Sequence, residues 1–190
     1  MKKAFFLPLA LSVLGLFTAP SVLAQQSTLD KIRSTGVVTM GVRESSGALS
    51  YTLGDGKYAG FHVEICNNVL RDIQKQLNLK SLDIKYVPVT SQNRIPLLQN
   101  GTVDIECGST TNNATRQKDV AFAVTTYVEE IRIAVKANSG ITSLNQLNGK
   151  KVATTTGTTS VQLLRKNERA TGVKFEEVFG KDHADSFLLL

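Results

Sequence analysis

From Gly36 onward, short apolar runs alternate with longer segments in which apolar residues recur every three or four positions. Such a chain buries both kinds of segment by laying helices over a sheet, and the strand–helix–strand order makes neighbouring strands parallel. Gly36-Val37-Val38-Thr39-Met40-Gly41-Val42 reads as a buried strand. Tyr51 and Tyr58 flank the turn signal Asp55-Gly56, which predicts a small hairpin. Val63, Ile65, Cys66, Val69, Leu70, Ile73 and Leu77 then mark one face of a helix, with Arg71, Asp72 and Lys75 opposite. Leu82 to Val89 alternates as a strand. Ser91 is placed to cap a helix over Asn93 to Gln99, which Asn100-Gly101 ends, and Val103 to Cys107 is again a strand. The fold class is α/β with parallel strands.

After Thr115 the texture changes. Val120 to Thr126 and Val128 to Lys136 read as two extended segments, the second carrying the chain from a first lobe (25–130) into a second (131–190). That second lobe starts with a short helix around Leu144 and Leu147 and a strand from Lys151 to Thr155. A helix from Val161 to Arg169, a strand from Val173 to Val178 and the opening of a further helix from Asp182 follow. The chain stops at Phe187-Leu188-Leu189-Leu190 without a cap or a polar tail, so the second lobe is expected to be incomplete and the chain truncated.

The N-terminus has the order of a secretory signal peptide over residues 1–24: basic Met1-Lys2-Lys3, an apolar run from Ala4 to Phe17, and Ser21-Val22-Leu23-Ala24 before polar Gln25-Gln26. Pro8, Gly15, Thr18 and Pro20 interrupt it too early for a membrane-spanning helix. Export places Cys66 and Cys107 in an oxidising compartment, where a disulfide from helix to sheet is plausible. Two buried free thiols are the alternative. The net charge of +6 includes Lys2 and Lys3, the basic residues are scattered, and aromatics are only 6%, so nucleic acid is a poor partner.

No catalytic constellation stands out. The two histidines, His62 and His183, lack ligand-spaced metal partners, and HExxH, CxxC, GxSxG and phosphate-loop patterns are missing. No metal or cofactor is expected. Instead, the loops after strands collect hydroxyls and arginines. Arg43 follows the first strand, Thr90-Ser91-Gln92-Asn93-Arg94 the second, and Gly108-Ser109-Thr110-Thr111 the third, with Arg116 just beyond. Thr154 to Ser160 follows the first strand of the second lobe. Ligands of open α/β sheets bind outside the carboxyl ends of strands, and arginine matches a carboxylate with two parallel hydrogen bonds. Any one such loop is more often a helix cap; four at equivalent strand ends point to a small anion held between two lobes.

Gly41-Val42-Arg43-Glu44-Ser45-Ser46, TSQNRIPLL from Thr90, QNGTVDIECGSTTNN from Gln99, Gly157-Thr158-Thr159-Ser160 and Lys181 to Phe187 together closely resemble the glutamate/aspartate-binding proteins of bacterial ABC importers, solute-binding protein family 3. The resemblance covers the chain up to Phe187. It implies a periplasmic-binding-protein-like (type II) fold, with two lobes joined by a two-strand hinge. It also implies that Arg116 binds the α-carboxylate of glutamate or aspartate, helped by Ser109 and Thr111. Arg43 and Arg94, with Ser91, would take the side-chain carboxylate, and Thr159 and His183 would reach across from the second lobe. Val42 stands where the family usually has histidine. The aspartate that pairs with the ligand ammonium in the family has no counterpart up to Leu190. The function implied is that of a monomeric periplasmic binding protein, not an enzyme, delivering an acidic amino acid to ABC permease subunits in the inner membrane. The alternatives are a non-functional fragment of such a protein and a periplasmic dehydratase on the same fold.

Overall fold

The computed structural model describes residues 27–190; the expected signal peptide over 1–24 lies outside the described residues. The Ser27 hydroxyl accepts the Asp30 amide at 3.2 Å and starts α1 (Thr28–Thr35). Gly36 ends that helix in the left-handed region at φ 67°, where a side chain would be strained. The next residues form β1 (Val37–Val42), the centre of a parallel sheet.

The hairpin β2 (Tyr51–Gly54) and β3 (Lys57–Ala59) turns at Asp55-Gly56 as expected. The chain then enters α2 (Phe61–Gln76). β4 (Asp83–Pro88) and β5 (Ile105–Glu106) flank β1 in the order β4-β1-β5, both parallel to it. Alternation along β1 turns Val38, Met40 and Val42 toward Val63, Cys66 and Leu70 of α2, and these residues form the core of the first lobe. Each such fully buried aliphatic side chain contributes about 1.5–3 kcal/mol. Cys66 is bonded to Cys107, just after β5, so the disulfide ties α2 to the sheet.

A second tie was not foreseen. Asp104, just before β5, accepts the Thr39 amide and hydroxyl, both at 2.8 Å, and Lys31 of α1 at 2.9 Å. Burial works to raise the Asp104 carboxyl, but these hydrogen bonds outweigh it and hold it below its ordinary 3.8.

α3 (Arg94–Gln99) connects β4 to β5. Its cap corrects the sequence reading. Asn93 is the N-cap residue, and it and Thr90 exchange hydrogen bonds of 2.8 and 3.2 Å, a role that had been given to Ser91. Two residues of loop separate Ser91 from the helix, and its side chain is buried with no partner for its hydroxyl.

The second sheet consists of β6 (Lys151–Thr155) and β7 (Glu176–Gly180), parallel and in register from Lys151↔Glu176 to Thr155↔Gly180. α4 (Thr159–Thr171) connects them, Gly172 ends it at φ 75°, and α5 (His183–Leu188) packs on both strands. Around this sheet the buried hydrophobic residues are Leu147, Val152, Leu164 and Val173.

The expected extended strands at Val120–Thr126 and Val128–Lys136 do not form. Residues 121–136 carry no regular structure, and Val124 and Val128 are each 85% exposed. β-branched residues favour extended backbone, but a strand exists only where a neighbour supplies its hydrogen bonds, and no strand among the described residues pairs with this segment. Ile133 and Val135 instead wall an apolar groove with Leu144, Leu147, Leu163 and Leu164.

Candidate functional site

The carboxyl ends of the two sheets face each other, and every loop singled out above lies there. On one side are Arg43 after β1, the Ser91–Arg94 loop after β4 and Gly108–Arg116 after β5. On the other are Thr156–Thr158 after β6 and Asp182–His183 after β7.

Arg43 is fully buried. Its amide donates to Ser50 Oγ at 2.9 Å, its Nη1 donates to Ser109 Oγ at 3.3 Å, and its Nη2 pairs with Asp182 of the opposite side. Nε has no partner. Ser109 Oγ also meets Ser46 Oγ at 2.9 Å, so one arginine organises hydroxyls from two loops.

Arg94 is buried at the first turn of α3, and neither its Nε nor its Nη1 has a hydrogen-bond partner. Burial lowers its pKa to about 10; the Glu106 carboxylate and, less strongly, Asp182 oppose this, while Arg43 and Arg116 add to it. Glu106 sits within this cationic cluster. One of its oxygens accepts the Thr110 hydroxyl at 2.8 Å, and the other is buried without a partner. Gly108 is wedged between that oxygen and Arg43, whose Cγ would lie 2.6 Å from any Cβ placed there.

Arg116 is partly buried, which lowers its pKa against the pull of Glu106. Its Nη1 donates to the Thr111 carbonyl at 3.0 Å and its Nη2 to the Gly157 carbonyl of the other side at 3.1 Å. Thr111 is otherwise exposed, so here it contributes backbone rather than hydroxyl.

Two further contacts close the cleft. The Ala184 amide donates to Ser45 Oγ at 3.2 Å, and Gly157, at φ 80°, lies so near the Ser91–Gln92 backbone that an added Cβ would sit 2.7 Å from Gln92 Cα. Thr159 stands at the first turn of α4, whose N-cap residue Thr158 makes no side-chain cap. His183 starts α5, its Nδ1 meeting Thr155 Oγ1 at 3.0 Å. Burial, and after it the nearby Arg43, lower its pKa below 6.5, against the pull of Asp182.

Of the eight residues expected at the site, Arg43, Ser91, Ser109 and Thr111 lie in loops, Arg116 in a short 3-10 turn, and Arg94, Thr159 and His183 in the first turns of α3, α4 and α5. The sequence motifs contain Asp182 and Glu106 without marking either as a site residue, and the structure places both beside the arginines. The cues available were an acidic residue just before a short helix and a carboxylate ending a strand beside an arginine-rich loop. Among the described residues no group of His, Cys, Asp and Glu is placed to hold a metal ion. Nor is any described helix long and apolar enough to cross a membrane.

Two parallel α/β sheets whose strand ends meet across a cleft of arginines and hydroxyls define the α/β architecture of the periplasmic-binding-protein class. The chain belongs to the bacterial extracellular solute-binding proteins, family 3, whose family model matches residues 38–187. It is 46% identical over 167 residues to a glutamate/aspartate import solute-binding protein of Salmonella typhimurium, covering 88% of this chain and 55% of that one. It is 44% identical over 181 residues to an L-glutamate/L-aspartate-binding protein of Pseudomonas aeruginosa, covering 94% and 60%. The chain therefore spans little more than half the length of these curated relatives. Among solved structures it is similar to an ancestral amino acid-binding protein, a precursor of cyclohexadienyl dehydratase, with a TM-score of 0.73 and 27% identity, covering 85% of this chain and 68% of that one.

Proposed function

We propose that this chain captures L-glutamate or L-aspartate in the periplasm, without transforming it, and presents it to the permease subunits of an ABC importer. Residues 1–24 serve as the export signal, and residues 25–130 and 131–190 contribute the two lobes. The observation that carries the reading is the convergence of Arg43, Arg94 and Arg116 on one cleft, with N–H groups of Arg43 and Arg94 buried and unpartnered. Buried cations without acceptors are strongly disfavoured unless a ligand or a neighbour completes them, and a dicarboxylate supplies two such acceptors. The names of the relatives support the same ligand class.

In this reading Arg116, Ser109 and Thr111 receive the α-carboxylate, while Arg43, Arg94 and Ser91 receive the side-chain carboxylate. Thr159 and His183 close over the ligand from the second lobe. The test is thermal unfolding of the chain with and without L-glutamate, L-aspartate, L-glutamine and L-arginine. A ligand at 100 times its dissociation constant adds about 2.7 kcal/mol. A shift produced by the acidic pair alone supports the proposal; no shift, or an equal shift with L-glutamine, overturns it.

A further inference from the structure

Two side chains one turn apart on α2 reach the same loop. Cys66 is bonded to Cys107, and His62, one helical turn earlier on the same face, brings Nδ1 to 2.5 Å from the Gly108 carbonyl oxygen. The loop after β5 is thereby held at three successive residues: Cys107 by the disulfide, Gly108 by His62, and Ser109 by Arg43 Nη1 and Ser46. The Gly108 carbonyl and the Ser109 amide share one rigid peptide plane, so a bond that fixes the first sets the direction in which Ser109 departs.

The other ring nitrogen is also engaged. His62 Nε2 lies 2.8 Å from Thr126 Oγ1, in the segment that leads from the first sheet to the second. Among the described residues this is the one hydrogen bond between 121–136 and residues 27–120. Beside it Phe61 meets Tyr127 edge to face, with ring centroids 6.5 Å apart. A carbonyl oxygen only accepts, so Nδ1 carries a proton; in the neutral ring Nε2 is then the acceptor, and the Thr126 hydroxyl donates to it. The imidazole is rigid, and with both nitrogens engaged it passes a displacement at one end to the other.

We infer that His62 is a positioning residue that couples Thr126, between the two sheets, to the loop that carries Ser109. The inference deepens the acidic amino-acid reading above and rests on it, because Ser109 belongs to the ligand set proposed there. The test is amide NMR of the chain carrying its Cys66–Cys107 bond, with calorimetric titration of L-glutamate alongside, in wild type, Thr126→Val, His62→Asn and His62→Gln. Thr126→Val replaces one exposed hydroxyl by a methyl. It should nevertheless displace the amide resonances of Gly108 and Ser109 while those of α1 stay in place. An asparagine amide stands near the position of Nδ1 and a glutamine amide near that of Nε2. His62→Asn should therefore keep most of the L-glutamate affinity, and His62→Gln, which loses the bond to Gly108, should bind about tenfold more weakly. Unmoved Gly108 and Ser109 resonances in Thr126→Val, or equal L-glutamate affinities in the two His62 variants, overturn this inference alone. If the His62 variants do not fold, Thr126→Val decides it. A wild-type chain that does not bind L-glutamate overturns the functional reading, and the Thr126→Val resonances still decide the coupling.

Discussion

Asp182 pairs with Arg43 across 139 residues of sequence, and Arg43 is fully buried. One guanidinium thereby joins the end of β1, the loop after β5 through Ser109, and the start of α5. The fork of the guanidinium makes this possible, since two Nη atoms point at two acceptors at once. Arg43→Lys keeps the charge and loses the fork. It is expected to destabilise the chain by about 2 kcal/mol, the worth of one hydrogen bond to a charged group. In thermal unfolding this reads as a fall of roughly 6 °C.

The disulfide leads to a second expectation. Cys107 directly precedes Gly108 and Ser109, so the bond to Cys66 fixes the loop beneath Arg43 as well as tying α2 to the sheet. Closing a loop of 41 residues' separation restricts the unfolded chain, an effect worth about 4 kcal/mol in the chain-entropy account. The double substitution Cys66→Ala/Cys107→Ala should lower the midpoint by roughly 10 °C. Wild type in reductant should move toward the same value.

The order of elements was legible wherever period and punctuation agreed. β1 is a largely apolar run that starts after Gly36, and β6 is a short segment between Gly149 and the turn at Gly157; each formed as read. Loops rich in hydroxyls and arginines were legible as residue runs directly after strand patterns, and the structure places them at strand ends. Two things were not. Strand-like residues at 128–136 say that extended backbone is favoured there, but not whether a neighbour exists to pair with it. Asp182 looks like an ordinary helix-capping acid until the partner 139 residues away is known. That Asn93 rather than Ser91 stands at the N-cap of α3 turned on two residues of loop geometry, below what spacing resolves.

His183 gives the cleft a pH dependence of definite sign. Burial and Arg43 hold its pKa below 6.5, so the folded chain binds fewer protons there than the unfolded chain. The stability it confers is complete above pH 6.5 and is lost as pH falls from that value toward the lowered folded pKa. Denaturant midpoints measured from pH 7.5 to pH 4.5 should decline in wild type from about pH 6.5. His183→Asn should remove that part of the decline and leave the acid limb due to the carboxylates.

Arg94 separates stability from binding. Its guanidinium is buried with Nε and Nη1 unpartnered, and burial lowers its pKa to about 10, so the folded chain carries it against its own stability. A methionine fills similar volume without a charge to desolvate, and replacing a poorly satisfied buried cation by an apolar side chain is often neutral or stabilising. Glu106 limits the gain, because one of its oxygens is already unpartnered and the substitution removes a neighbouring positive charge. Arg94→Met is therefore expected to unfold at the wild-type temperature or slightly above it. At the same time the upward shift produced by L-glutamate should disappear. A variant that unfolds well below wild type would show that Arg94 holds the cleft together, and a retained ligand shift would remove it from the binding set.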